Sequence, residues 1–196
     1  MARKKIKQKR DSEFLKEAEA RSKVMYWFFA YPSKSFSLND LVQNLEVSKT
    51  TVNRVVKDLI KEGFLEKEEI GKTWKINCNR QHPFNEDVKI PYNLSLVYQS
   101  GIVDAIYDLY PSAKAIVLFG SYRKGDDNSE SDLDIAVELL DDEPLEVQNL
   151  VELAEFGYRK NVPVNLHMFS RNKVDLNVFC NIANGIVLSG FLEVRP

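Results

Sequence analysis

The sequence predicts an α+β chain of two domains: a small helical domain closed by a β-hairpin, then an α/β domain with a mixed sheet. Three observations carry this. Charge divides the chain: residues 1–80 hold 18 Lys+Arg against 11 Asp+Glu (+7), and residues 81–196 hold 9 against 18 (−9), as two modules with different partners would. In the basic part, Val52, Val55, Val56, Leu59 and Ile60 fall at i, i+3, i+4, i+7 and i+8, the stripe of a helix lying on a core. In the acidic part, the apolar run Ala115–Phe119 stops at Gly120-Ser121, and a second strand pattern opens on Asp132-Leu133-Asp134.

Composition bounds the rest. Hydrophobic content of 44% and charged content of 29% suit a globular chain long enough for two modest cores. Cys78 and Cys180 are far apart with no partner at ligand spacing, which excludes a disulfide framework or a zinc site and fits a reducing compartment. No apolar run follows the basic N-terminus, and none approaches the roughly 18 residues of a membrane span. The expectation is a cytoplasmic protein with no membrane partner.

In the first half, six cations among the first ten residues predict a flexible basic arm over 1–11 that adds non-specific affinity for polyanions. A helix over about 12–30 carries Phe14, Leu15, Ala18, Val24, Trp27 and Phe28, and Tyr31-Pro32 ends it. Ser37 with Asp40 three residues on predicts a capping box, and Leu38, Leu41, Val42 and Leu45 predict a short buried helix. Ser48 caps a third helix after a tight turn, and Gly63 stops it. Residues 64–70 and 73–76 around Gly71-Lys72 predict a β-hairpin.

Helix, tightly joined helix pair and hairpin resemble the winged helix-turn-helix family over residues 12–79. The resemblance implies double-stranded DNA as partner, with the third helix in the major groove, the hairpin as wing, a role in transcription regulation, and dimerisation as in many family members. Lys49, Thr50, Thr51, Asn53, Arg54 and Lys57 supply the cations, hydroxyls and amide such a helix needs for phosphates and base edges. On the wing, Glu66, Glu68 and Glu69 repel phosphate, leaving Lys67, Lys72 and Lys75 to help.

Residues 80–93, with Pro83 and Pro91 and no periodicity, predict a linker, and His82 reads as a surface residue within it. A helix over Leu94–Tyr110 opens the domain assigned to residues 94–196. On the strand after residue 131, alternation sends Asp132 and Asp134 to one side and Leu133 and Ile135 to the core. Neighbouring carboxylates repel unless a cation lies between them, the arrangement a hard divalent ion needs. Gly120 permits close backbone approach, Ser121 and the turn's amides suit a phosphate, and Arg123 and Lys124 lie near enough to assist. There is no Walker loop, which excludes a kinase or ATPase of that type.

Gly120-Ser121, ten residues, then Asp132-Leu133-Asp134 resembles the G-S-x10-D-x-D signature of polymerase-β-like nucleotidyltransferases. With the short length and the late Asn184–Leu188 segment, residues 94–196 are similar to the minimal nucleotidyltransferases of bacteria and archaea. The resemblance implies transfer of a nucleoside monophosphate, AMP foremost, from an NTP such as ATP to a hydroxyl, with Mg²⁺ or Mn²⁺ held by Asp132 and Asp134. Such domains often act as antitoxins that modify a HEPN-type ribonuclease, so the resemblance also implies a protein acceptor. Leu145, Leu150, Leu153 and Phe156 read as a helix before a strand over Val162–Met168, and Asn165 stands where the family places its third carboxylate. An amide brings no charge and cannot act as a base. His167, on the same strand face, is a substitute base or a packed histidine. Three functions stay open: a DNA-tethered transferase, a nucleotide-sensing regulator with a weakened site, and an interaction module, which has no need of the costly carboxylate pair.

Overall fold

The computed structural model describes residues 2–71, 73–140 and 144–194, with side chains described from Lys16 onward. It divides into two compact units, residues 1–84 and 85–196.

In the first unit, α1 (Ala2–Ala30), α2 (Leu38–Leu45) and α3 (Lys49–Lys61) precede a hairpin of β1 (Leu65–Ile70) and β2 (Thr73–Cys78). The capping box is present: Ser37 Oγ accepts from Asp40 N–H at 3.2 Å, and Asp40 Oδ2 accepts from Ser37 N–H at 2.8 Å. Ser48 caps α3, accepting from Thr51 N–H at 3.3 Å. Val52, Val55, Val56 and Leu59 are buried with Val24, Phe28, Phe29, Leu41, Phe64 and Ile76. Phe36 bridges Ile76, tying the segment before α2 to the hairpin. Two expectations change here. Residues 2–11 are not a separate arm but the first turns of α1, since no Pro or Gly interrupts helix propagation there; Met1 lies outside the described residues, as does Lys72. His82 is no free linker residue: its ring meets Phe84 at 4.4 Å and Phe64 at 5.7 Å between centroids, and its Nε2 lies 3.2 Å from Glu62 O.

The second unit starts before residue 94. After the short α4 (Phe84–Asp87), α5 (Lys89–Gln99) opens inside the expected linker, with Pro91 in its first turn, where a missing N–H costs nothing. The single helix expected over 94–110 is broken at Gly101, whose φ of 72° is left-handed, and resumes as α6 (Ile102–Leu109). Then follow β3 (Ala115–Phe119), α7 (Gly120–Lys124), β4 (Leu133–Glu138), β5 (Glu146–Phe156), β6 (Arg159–Phe169), α8 (Leu176–Ala183) and β7 (Ile186–Gly190). The sheet order is β5-β6-β4-β3-β7, with β4 and β6 parallel and the other pairs antiparallel, so the sheet is mixed as expected.

The helix expected at 145–156 is instead the strand β5, joined to β6 by the two-residue turn Gly157-Tyr158. A register shift between Asn149 and Val151 breaks the alternation, so Leu150, Leu153 and Phe156 recur at a spacing that imitates a helix. The sheet has two apolar faces. Ile116, Leu118, Leu133, Ile135, Val164 and Leu166 pack with Val97, Ile102 and Ile106 of α5 and α6. Ala115, Val117, Ala136 and Phe169 pack with Ile182 of α8 on the other.

Candidate functional site

Alternation decides what faces the second side. With Leu133, Ile135 and Val137 committed to the α5–α6 core, Asp134 shares the opposite face with Ala136; with Val164 and Leu166 committed likewise, Asn165 and His167 join it on β6. The parallel register sets Asp134 beside Asn165 and Ala136 beside His167, and the antiparallel register sets Phe119 beside Asp134. The result is a polar cluster at the end of the sheet next to the β3–α7 turn, each member half-buried.

The side chains are interlocked. Asn165 Nδ2 donates to Asp132 Oδ2, and His167 Nε2 lies 3.1 Å from Asp134 Oδ1. The His167 ring stands edge-on to Phe119, 4.8 Å between centroids, which fixes its plane. Gly120 has φ of 72°, and a Cβ there would fall 2.5 Å from Asp134 Oδ2; the absent side chain leaves the room that carboxylate occupies. Ser121, half-buried, begins the turn of α7 beside it, while Tyr122 points into the core. Arg123 and Lys124 close α7, and their side chains make no ion pair or hydrogen bond among the described residues.

The loop that delivers Asp132 is anchored by residues that sequence reading did not single out. Arg159, buried, donates to Ser131 O at 2.6 Å, to Ser129 O at 3.2 Å and to Tyr122 Oη. Asn128 N–H donates to Ser131 Oγ at 3.0 Å, and Asn128 Oδ1 accepts from Glu130 N–H at 2.8 Å. Asp127 is buried between Lys89, whose Nζ lies 3.1 Å from its Oδ1, and Asn93, whose Nδ2 donates to it at 2.7 Å. Burial pushes the Asp127 carboxyl above its ordinary range, with Lys89 and Asn93 working against the rise. Burial likewise pushes the Tyr122 hydroxyl up, against the lowering effect of Arg159. The i, i+4 pair Lys89 and Asn93 was the signal for this network, concealed by the two prolines that suggested a linker.

The residue set suits a hard divalent cation held by Asp132 and Asp134, each with one carboxylate oxygen not taken by Asn165 or His167. Among the described residues no group of three or more His, Cys, Asp and Glu is placed to hold a metal ion.

The basic face of α3 divides in the first unit. Lys49, Asn53 and Lys57, at i, i+4 and i+8, line a cleft of ≈ 340 Å³ with Ser37, Asn39 and Trp74. Lys49 Nζ donates to Asn39 Oδ1 at 3.0 Å. Thr50 is exposed, Thr51 Oγ1 is 2.8 Å from Ser48 Oγ, and Arg54 is turned to α1, where Nε meets Glu17 Oε1 at 2.9 Å. The exposed acids of the hairpin divide between its two faces. Strand alternation puts Glu66 and Glu68 on the face away from the buried Leu65, Ile76 and Cys78, and Lys67 Nζ holds Glu69 Oε1 at 2.7 Å.

A family model described as Nucleotidyltransferase domain matches residues 100–183, the segment that contains Gly120, Ser121, Asp132, Asp134, Asn165 and His167. A search of curated proteins finds no match for the chain. The match supports nucleotidyl transfer as the general chemistry of the second unit, with an NTP as substrate and a divalent metal as the cofactor such domains generally use. No helix among the described residues is long and apolar enough to cross a membrane.

Proposed function

We propose that this chain is a nucleotidyltransferase that moves a nucleoside monophosphate, AMP foremost, from an NTP to a hydroxyl on a protein or small molecule. The observation that carries the reading is the joining of the β3–α7 turn to the carboxylate pair: Asp134 fills the space that only a glycine at 120 leaves open. In this reading Gly120 and Ser121 present backbone amides and a hydroxyl to the terminal phosphates, and Arg123 and Lys124 add charge at their edge. Asp132 and Asp134 hold Mg²⁺ or Mn²⁺, which when bound neutralises charge on the transferring phosphoryl group. Arg159 keeps Asp132 in register by fixing the backbone of Ser129 and Ser131. A HEPN-type toxin is the protein acceptor this reading favours.

The first unit, in the same reading, is a winged-helix module that binds duplex DNA through α3 and the hairpin. Its support is the row Lys49, Asn53 and Lys57 along one cleft and the pairing of Glu69 with Lys67.

A second reading, a nucleotide-sensing regulator, is favoured by one contact. Asn165 donates to Asp132 where a third carboxylate would raise the charge of the site, so the chain holds a nucleotide and metal with weakened turnover. Incubation with Mg²⁺ and each of the four α-labelled NTPs, with the neighbouring gene product as acceptor, separates the two. Label on the acceptor with release of pyrophosphate supports the transferase. Saturable nucleotide binding without transfer supports the regulator, and absence of both contradicts each.

A further inference from the structure

The cleft between α3 and the hairpin has a wall that a plain reader of a regular duplex does not need. Trp74 is the second residue of β2, half-buried, on the hairpin face shared with the buried Ile76 and Cys78. Its described ring neighbours are cations, not core aromatics: Lys67 Nζ is 4.3 Å and Lys57 Nζ 5.9 Å from its centroid. Along the facing wall run Lys49, Asn53 and Lys57, and Ser37, Asn39 and Thr73 also line the cleft. The one acid on this side of the hairpin tip, Glu69, is held by Lys67. An indole flanked by ammonium groups, with an amide and hydroxyls nearby, is the chemistry of a stacked nucleobase with its adjoining phosphates. The volume, ≈ 340 Å³, is at the low end for ligand pockets, suited to a single planar unit and not to a strand.

We propose that this cleft takes one unpaired nucleobase, stacked on Trp74 with its flanking phosphates on Lys49 and Lys57, so that the nucleic acid preferred by the first unit is a duplex carrying an extrahelical base. The proposal rests on the reading of that unit as a nucleic-acid module. Stacking supplies preference without base-edge readout, because every base has a π-face; Asn53 then biases the choice through whichever edge it meets. Lys67, displaced from the ring by the base, remains beside the incoming phosphate.

The test is a titration of the full chain against three fluorescent duplexes of one sequence: fully paired, with a single-base bulge, and with an abasic bulge. The expected result is at least about fivefold tighter binding to the base bulge than to either other duplex, the lower end of what one stacked base contributes. Trp74→Ala should bring the ratio of base-bulge to paired-duplex affinity to about one, whatever it does to the affinity for each; Trp74→Phe should retain most of the preference. Equal affinity for all three duplexes, or a preference that survives Trp74→Ala, overturns the proposal while leaving the nucleic-acid reading standing. Absence of binding to any duplex at low salt overturns both. Should Trp74→Ala fail to fold, the base-bulge against abasic-bulge comparison on the wild-type chain decides alone.

Discussion

Asp134 Oδ2 lies 2.5 Å from the point where a Cβ on Gly120 would stand. The turn that ends β3 and the strand that carries the acid are thereby built to a common tolerance. Gly120→Ala must move the carboxylate or the turn, and it also places an L side chain at φ of 72°, which costs about 1–2 kcal/mol. The expected outcome is a lower melting temperature together with loss of most Mg²⁺-ATP binding by calorimetry. A variant that is destabilised but binds Mg²⁺-ATP as the wild type does would separate the glycine from the site.

Asn165→Asp exchanges a donor to Asp132 for a third negative charge. Without metal the change should cost about 1–3 kcal/mol, the range for a half-buried group that loses its partner. Mg²⁺ should return that loss, because three carboxylates hold a hard cation better than two, and transfer should rise. Unfolding in urea with EDTA and with Mg²⁺ checks both signs. A substitution neutral in each condition contradicts the pairing of Asn165 with Asp132.

Lys89→Met tests the buried network under the loop. The Asp127 carboxyl already stands above its ordinary range in the folded protein, chiefly through burial, and Lys89 is the main influence opposing the rise. Stability linked to a raised carboxyl is full below its unfolded pKa, about 3.9, and is lost as pH climbs through the folded value. Removing the ammonium lifts that folded value further, so the penalty must grow with pH. A loss of about 3–5 kcal/mol is expected at pH 7.5, the range for breaking a buried pair, and a smaller one at pH 4.5. Equal losses by urea unfolding at the two pH values contradict this account.

How much of this was legible in the sequence varies by element. The caps at Ser37 and Ser48 and the stripe of α3 were readable because both are local, each decided by side chains within two turns. The meeting of Asp134 with Gly120 was readable from spacing, since ten residues between two strands leave few routes back. What failed depended on distant partners. β5 is a strand because β6 pairs with it, and its register shift hid the period. Lys89, Asn93 and Arg159 gain their meaning only from Asp127, Ser129 and Ser131, which lie 28 to 38 residues away. Trp74 gains its meaning only from Lys57, which α3 sets opposite it.

Arg159→Gln should act through Asp132. The guanidinium bonds to Ser129 O, Ser131 O and Tyr122 Oη are hydrogen bonds from a charged donor, worth roughly 1.5–3 kcal/mol where fully replaced. The expected outcome is weaker Mg²⁺-ATP binding in addition to a lower melting temperature, with Arg159→Lys intermediate in both. Loss of stability with unaltered nucleotide affinity would mark Arg159 as structural only.

On α3, Lys57→Ala should lower the slope of log affinity against log salt for duplex DNA by about 0.9, one phosphate contact. Arg54→Ala should change the slope less, since Glu17 already offsets that charge at 2.9 Å. Equal slopes in wild type and Lys57→Ala would mean that this face is merely solvated.

The most direct measurement of the central claim is thermal unfolding of the wild-type chain and Asp134→Asn with Mg²⁺ alone, ATP alone and both together. A ligand that only the folded state binds stabilises it by about 2.7 kcal/mol at one hundred times its Kd. Mg²⁺ and ATP together should raise the wild-type melting temperature by more than the two separate shifts combined, and Asp134→Asn should lose this synergy. The same synergy in both proteins would contradict that claim.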